Sequence, residues 1–212
     1  MAQTLIAYYC FNDNDATLVH DFSGNQRDST AETGFSISTD AGAIGKVGVF
    51  NGSSTVLNFG NITAFDAITA FSMVARFKTD AIGARQVIAI RQGHHILEIT
   101  ATGKVRWSLY SEDAILFECT TAESIVAATW YTVVCAWSIS GGNLMRIYIN
   151  ELDSPDTETF DPIEMETNSN PLYIGATNTP GDYFDGMIEM ISFYAKDLDD
   201  DEINTVIESP SG

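Results

Sequence analysis

The feature that most constrains this chain is alternation. Apolar and polar residues swap places at every second position in segment after segment, and turn-forming residues separate the segments. The predicted strands are TLIAYYCF (4–11), VGVFNG (47–52), TVLNFG (55–60), TAFSMVARFK (69–78), QVIAIR (86–91) and HILEIT (95–100). They continue with KVRWSLY (104–110), AILFEC (114–119), WYTVVCAWS (130–138), NLMRIYIN (143–150), PLYIG (171–175) and GMIEMISFYA (186–195). TGK (102–104), SGGN (140–143) and TPGD (179–182) supply turns between them. A period of two sends side chains to both faces of a strand, so each apolar face needs a second layer to cover it. Many short strands at this spacing predict an all-β fold, a two-sheet antiparallel β-sandwich or jelly roll. Only the tail reads as a helix. LDDDEINTVIES opens on acids, which suit a helix N-terminus, and Leu198, Ile203, Val206 and Ile207 fall on one side. Residues 23–46 and 151–170 are loops longer than a plain connection needs, which marks them as candidate functional loops.

The 212 residues, 45% of them hydrophobic, suit a single domain over 1–212. A chain of this length buries about 70% of its unfolded surface, enough for a core without staples. It has no run of 18 apolar residues, so no membrane insertion is expected. MAQTLIAYYCFND has no basic n-region and no small-residue cleavage site, so no signal peptide is read in this chain. A virion surface or an extracellular location is expected, reached after removal of a signal or by another route. Charge narrows the partners. Residues 1–106 hold 8 basic and 9 acidic residues, a net of −1, and residues 107–212 hold 2 and 20, a net of −18. That balance excludes phosphate backbones, so no nucleic acid is expected, and it disfavours anionic lipid. Cys10, Cys119 and Cys135 form no CxxC pair and read as small buried hydrophobes, with a disulfide between two of them left open.

Catalytic motifs are sparse. There is no GxSxG elbow and no phosphate-binding loop. His94 and His95 enter a predicted strand, where neighbours point to opposite faces, so they read as structural. The sequons at Asn51 and Asn61 read as chance occurrences. Asp13, Asn14, Asp15 and Asp21 crowd one stretch, but the sixth-position glycine and twelfth-position glutamate of an EF-hand loop are missing. Asp21, Ser23, Gly24 and Asn25 also suit an Asx-type turn. Among the aromatics, Tyr110, Trp137, Tyr173 and Tyr183 are candidates for sugar stacking. Alternation puts Trp107 in the core and Tyr110 on the opposite face, and it groups Tyr131, Val133, Cys135 and Trp137 on one buried face. Tyr110, Asp182 and Tyr183 are therefore the predicted ligand-binding residues, the last two carried to the rim by a Pro-Gly turn.

LIAYYCFND, HDFSGNQRD, GKVGVFNGSSTVLNF and AFSMVARFKTD, in that order, resemble the laminin-G-like, concanavalin-A-like jelly roll. WYTVVCAWSISGGNLMRIYINELDSP resembles that family's strand, Gly-Asn turn and strand. LYIGATNTPGDYFDGMIEMISFYAKDLDDDEINTV resembles its closing block. The resemblance runs from about residue 4 to 207 and implies the same fold. The family includes glycan-binding modules, adhesion domains and calcium lectins, and shares its fold with glucanases. It implies a structural Ca2+ held by Asp21, Asn25, Asp185 and Glu189. Its glucanases carry an E-x-D-x-x-E strand, and the nearest match is ELDSPD, with Glu151, Asp153 and Asp156. That stretch departs in its last residue and lies where the family reverses direction, with Pro155 ending the strand. Glu164 and Glu166 alternate in a Pro-rich loop. No catalytic residue is therefore expected. The expected function is a non-enzymatic, lectin-like surface module that binds a glycan or cell-surface ligand, carried on a virus particle for attachment or decoration. Alternatives are a capsid or tail decoration subunit that contacts viral scaffold proteins alone, a secreted bacterial glycan-binding domain, and a glucanase. Such surface subunits often assemble symmetrically, which makes a homo-oligomer an expected partner state.

Overall fold

A computed structural model describes residues 4–12, 17–29, 31–151, 154–160, 164–177 and 181–208. In chain order the first strands are β1 (Leu5–Cys10), β2 (Ala31–Thr33), β3 (Ser36–Thr39), β4 (Lys46–Asn51) and β5 (Val56–Asn58). After a 3₁₀ turn at Thr63–Phe65 come β6 (Ala70–Thr79), β7 (Gln86–Arg91), β8 (His95–Ile99), β9 (Lys104–Tyr110) and β10 (Leu116–Ser124). Then follow β11 (Trp130–Ser138), β12 (Leu144–Ile149), β13 (Asp156–Thr159), β14 (Leu172–Ile174), β15 (Asp185–Tyr194) and helix α1 (Asp200–Glu208). The expected strands form close to their predicted bounds. β2, β3 and β13 lie inside the two stretches expected to be loops.

The strands build two antiparallel sheets. The first runs β13-β12-β11-β6-β15-β4-β3, with β1 also paired to β15, and the second runs β10-β9-β8-β7-β14-β5-β2. β15 pairs β6 along its length on one side. On the other side it takes β4 at Asp185–Ile188 and then β1 at Met190–Tyr194. A bulge between Ile188 and Met190, where one partner gives way to the other, shifts its register against β6. Gly186, the second residue of this strand, has φ 146, and a Cβ there would lie 2.1 Å from the Lys78 carbonyl oxygen.

The core lies between the sheets. Phe71, Met73, Ala75 and Phe77 of β6 and Val133, Cys135 and Trp137 of β11 face Leu97, Trp107, Leu109 and Cys119 of the second sheet. Trp107 and Trp137 are buried, as alternation predicts, and Tyr131 packs at the margin of the same face. The three cysteines are free and buried. Burial pushes the Cys119 thiol up to about 12, so it stays protonated at neutral pH.

The two outward faces differ. α1 and the segment leading into it lay Ile203 and Leu198 over Val74, Val134 and Tyr148 of the first sheet, with Val206 and Ile207 beside them. Burial of two such aliphatic side chains contributes about 1.5–3 kcal/mol each. The rest of that face is clasped by residues 40–45. Glu189 accepts the N–H groups of Ile44 and Gly45 at 2.6 and 2.7 Å and pairs with Arg76 at 2.5 Å. Asp40 binds Lys78 and the Trp130 indole N–H, and the Lys78 hydrogen bond leads in lowering its pKa to about 2. Among the described residues no α-helix lies on the outward face of the second sheet.

Candidate functional site

Register sets the chemistry of that second outward face. The pairings align Tyr173 of β14 with Ile90, Ile90 with Ile96, Ile96 with Ser108, and Ser108 with Glu118. One row of side chains thus crosses five strands. The next row aligns Val87, Glu98, Arg106 and Thr120. Val87, Ile90 and Ile96 form an apolar cluster apart from the main core, and Tyr110 and Tyr173 pack half-buried against it.

An ionic ladder flanks the cluster. Glu98, 1% exposed, accepts Arg85 Nε through Oε2 and Arg106 Nε through Oε1, both at 2.7 Å. Arg85 reaches on to Asp182 at 2.5 Å, and Arg106 to Glu118 at 3.3 Å. The Ser108 hydroxyl donates to Glu118 at 3.3 Å. A carboxylate this buried is held in place by its two guanidinium partners, and removing one partner of a buried pair costs about 3–5 kcal/mol. The face is therefore amphipathic, cross-linked by ion pairs and built from five strands.

The predicted ligand-binding residues divide accordingly. Tyr110 packs on the apolar cluster, and Asp182 joins the ladder with a strained φ of 51. Tyr183 is half-buried between Asp182 and the core residue Phe184. Tyr173, a candidate stacking residue, is brought to the cluster, whereas Trp137 is core. Sequence reasoning missed the ladder. Its members lie in three strands and two turns, and the pairing register alone unites them.

The residues expected to hold calcium are not gathered. Asp21 accepts the N–H groups of Tyr8 and Ser23 through Oδ1 at 3.0 and 2.9 Å, and that of Arg27 through Oδ2 at 3.1 Å. The Asx turn is thus present. Asn25 donates its amide N–H groups to the carbonyls of Leu5 and Ile6, both at 3.0 Å, tying the loop to β1. Asp185 stands opposite Asn51, and Glu189 lies four residues further along β15, roughly 13 Å away at strand rise. That separation is along the main chain, and the hydrogen bonds of Glu189 turn its carboxylate toward the 40–45 loop. Both Glu189 oxygens are engaged with the 40–45 loop and Arg76. Among the described residues no group of three or more His, Cys, Asp or Glu is placed to hold a metal ion. Asp13, Asn14 and Asp15 lie outside the described residues, as does Asp153 of ELDSPD. β12 ends at Ile149, six residues short of Pro155, and Asp156, directly after that proline, opens β13 at the sheet edge.

The paired histidines depart from expectation in geometry. Their rings meet, Nδ1 to Nδ1, at 2.8 Å instead of pointing apart. His94 belongs to the turn before β8, where Gly93 takes φ 70, so strand alternation does not govern it. Arg91 is fully buried beside them, bonded to Asn61, Asp66 and the carbonyls of Asn168 and Asn170. This cluster underpins the site, since the Tyr110 N–H donates to the His94 carbonyl at 2.9 Å.

Solved structures share this architecture. The binding domain of Paraclostridial Mosquitocidal Protein 1 is 14% identical, with a TM-score of 0.80 over 98% of this chain and 52% of that one. Domain 4 of AbnA, a GH43 extracellular arabinanase from Geobacillus stearothermophilus solved with arabinotriose, is 19% identical, with a TM-score of 0.74 over 96% and 98%. The botulinum neurotoxin serotype D binding domain is 16% identical, with a TM-score of 0.71 over 97% and 52%. The chain thus spans about half of each toxin binding domain and nearly all of the arabinanase domain. No curated protein matches it in sequence. Residues 51–204 match the laminin-G profile described as the concanavalin A-like lectin/glucanases superfamily, and the chain belongs to that superfamily.

Proposed function

We propose that this protein is a non-enzymatic binding module that holds a glycan on the outward face of the second sheet. The observation that carries the reading is the placement of Tyr110 and Tyr173 on the Val87–Ile90–Ile96 cluster beside the Arg85–Glu98–Arg106–Glu118 ladder. A sugar ring has an apolar C–H face that stacks on an aromatic ring, and hydroxyls that pair with carboxylates and guanidinium groups. Both kinds of partner stand here within two rows of one sheet. Their fixed positions lower the ordering cost of binding. Asp182 and Tyr183 would meet the end of the saccharide at the rim.

Glu98 clamped between two arginines suits orientation of a ligand and not proton transfer, which supports binding without hydrolysis. The neighbouring folds named as binding domains support the same reading. The arabinanase domain solved with arabinotriose makes a linear arabino-oligosaccharide the first probe. The proposed setting is a cell or virus-particle surface, and capsid or tail genes beside this one would place it on a particle.

A glycan array followed by calorimetry tests the function. The wild type should bind at least one saccharide, and Tyr110→Ala and Tyr173→Ala should each weaken it tenfold or more with little change in melting temperature. An array without hits, or variants that bind undiminished, rejects the reading.

A further inference from the structure

A second surface lies at the open edge of the sandwich, beyond the Glu118 end of the glycan face, along the later residues of β10. There β10 ends the second sheet and β13 ends the first. Between them runs a groove of about 650 Å³. Tyr131, Ile147 and Ile149 supply its apolar lining, and Glu123, Glu151 and Asp156 supply carboxylates. No lysine or arginine lines it.

β10 is unusual for an edge strand. Exposed edges are commonly blunted by lysine or proline, which stop a foreign strand from pairing. The β10 sequence LFECTTAES has neither, and its only charges are acidic. Its flanks expose Ile115 at 47% and Val126 at 64%. Among the described residues the side chains of Glu123 and Glu151 have no hydrogen bond or ion pair. No basic residue occurs between Arg106 and Arg146, or between Arg146 and Lys196.

We propose that this groove docks an extended basic segment of another protein, laid beside β10 with apolar residues on Tyr131, Ile147 and Ile149 and alternate basic residues on the three carboxylates. The Ala122 N–H already donates to Asp156 Oδ1 at 3.0 Å; an added strand gains main-chain hydrogen bonds elsewhere along β10, and its side-chain alternation gives the selectivity. Charge complementarity chooses the occupant and speeds its encounter. A second copy of this chain fits poorly, because at least seven of its ten Lys and Arg are already in ion pairs among the described residues.

The probe is a fluorescein-labelled Lys-Val-Lys-Thr-Lys-Val-Lys peptide, with its Glu-for-Lys counterpart as control, read by anisotropy on the full chain. The basic peptide should bind at low salt and weaken tenfold or more at ~0.3 M salt. Binding should also slow amide exchange in β10. Glu123→Lys combined with Glu151→Lys should weaken it tenfold or more. Glu112→Lys combined with Glu164→Lys, beyond the groove, should change it less than threefold, and both double variants should keep the wild-type circular dichroism. The proposal is overturned by equal binding of the acidic peptide, equal loss in both double variants, or unchanged β10 exchange. A wild-type dimer that Glu123→Lys with Glu151→Lys dissociates would give the edge to a second copy, and overturn it too. Glycan binding is a separate reading, so it should survive every one of these substitutions.

Discussion

Arg91, His94 and His95 show what single residues hide in a sequence. Arg91 closes a strand of otherwise apolar pattern, yet it is fully buried because Asn61, Asp66, Asn168 and Asn170 converge on it from three segments. None of those partners is near it in sequence, so no local pattern announces the cluster. His94 Nε2 donates to the Phe65 carbonyl at 2.7 Å, which leaves its Nδ1 to accept from His95 Nδ1. Phe65, Phe71 and Phe193 wall the two rings. Both histidines must be neutral for this arrangement. Burial, aided by Arg91, holds His94 down to about 4 and His95 well below its usual value. An unfolded histidine titrates near 6.5. Below that pH the unfolded chain binds more protons than the fold, so stability is full above about 6.5 and falls as pH drops toward 4. Each buried histidine contributes a slope of about 1.4 kcal/mol per pH unit in that window. Urea unfolding at pH 7 and pH 4.5 should therefore show a marked fall in midpoint, still present in the half-exposed-site variant His20→Gln. An unchanged midpoint would mean that the pair is not buried neutral.

At the scale of elements, legibility followed burial. Strands with one face in the core, such as Trp130–Ser138, carry a period of two and were readable. β3 and β13 read SIST and DTET. They pair through the main chain at sheet edges with most side chains exposed, so no apolar alternation marks them. The helix was readable because Leu198, Ile203, Val206 and Ile207 share a side that must be covered. The bulge of β15 at Ile188–Met190 left no sequence signal, but the close β15–β6 approach left Gly186. That glycine carries a prediction. Gly186→Ala drives a Cβ against the Lys78 carbonyl at 2.1 Å and should cost about 2–5 kcal/mol. Gly24→Ala has open space around it and should cost only about 1 kcal/mol, from its φ of 85. Thermal unfolding of the two variants checks the order, and equal losses would argue against the tight β15–β6 approach.

For the whole molecule, the two sheets divide the labour. α1 and the 40–45 loop occupy the outward face of the first sheet, and the second sheet is left with Tyr110, Tyr173 and the ladder. The acidic excess of the second half gathers in part along the β10–β13 edge, through Glu123, Glu151 and Asp156. Composition could state that excess but not its place, because strands from both halves interleave. Tyr110, Tyr173 and Asp182 stood out in the sequence as single candidates, whereas Arg85, Glu98, Arg106 and Glu118 did not, and the grouping of all of them waited on register. The most direct measurement is a chemical-shift titration of isotope-labelled protein with arabinotriose, or with the best saccharide from the array. Shifts should cluster at Ile90, Ile96, Ser108, Tyr110, Glu118 and Tyr173 and leave α1 unchanged. Shifts confined to any other surface, or none with any saccharide at millimolar concentration, would contradict a glycan site on the second sheet.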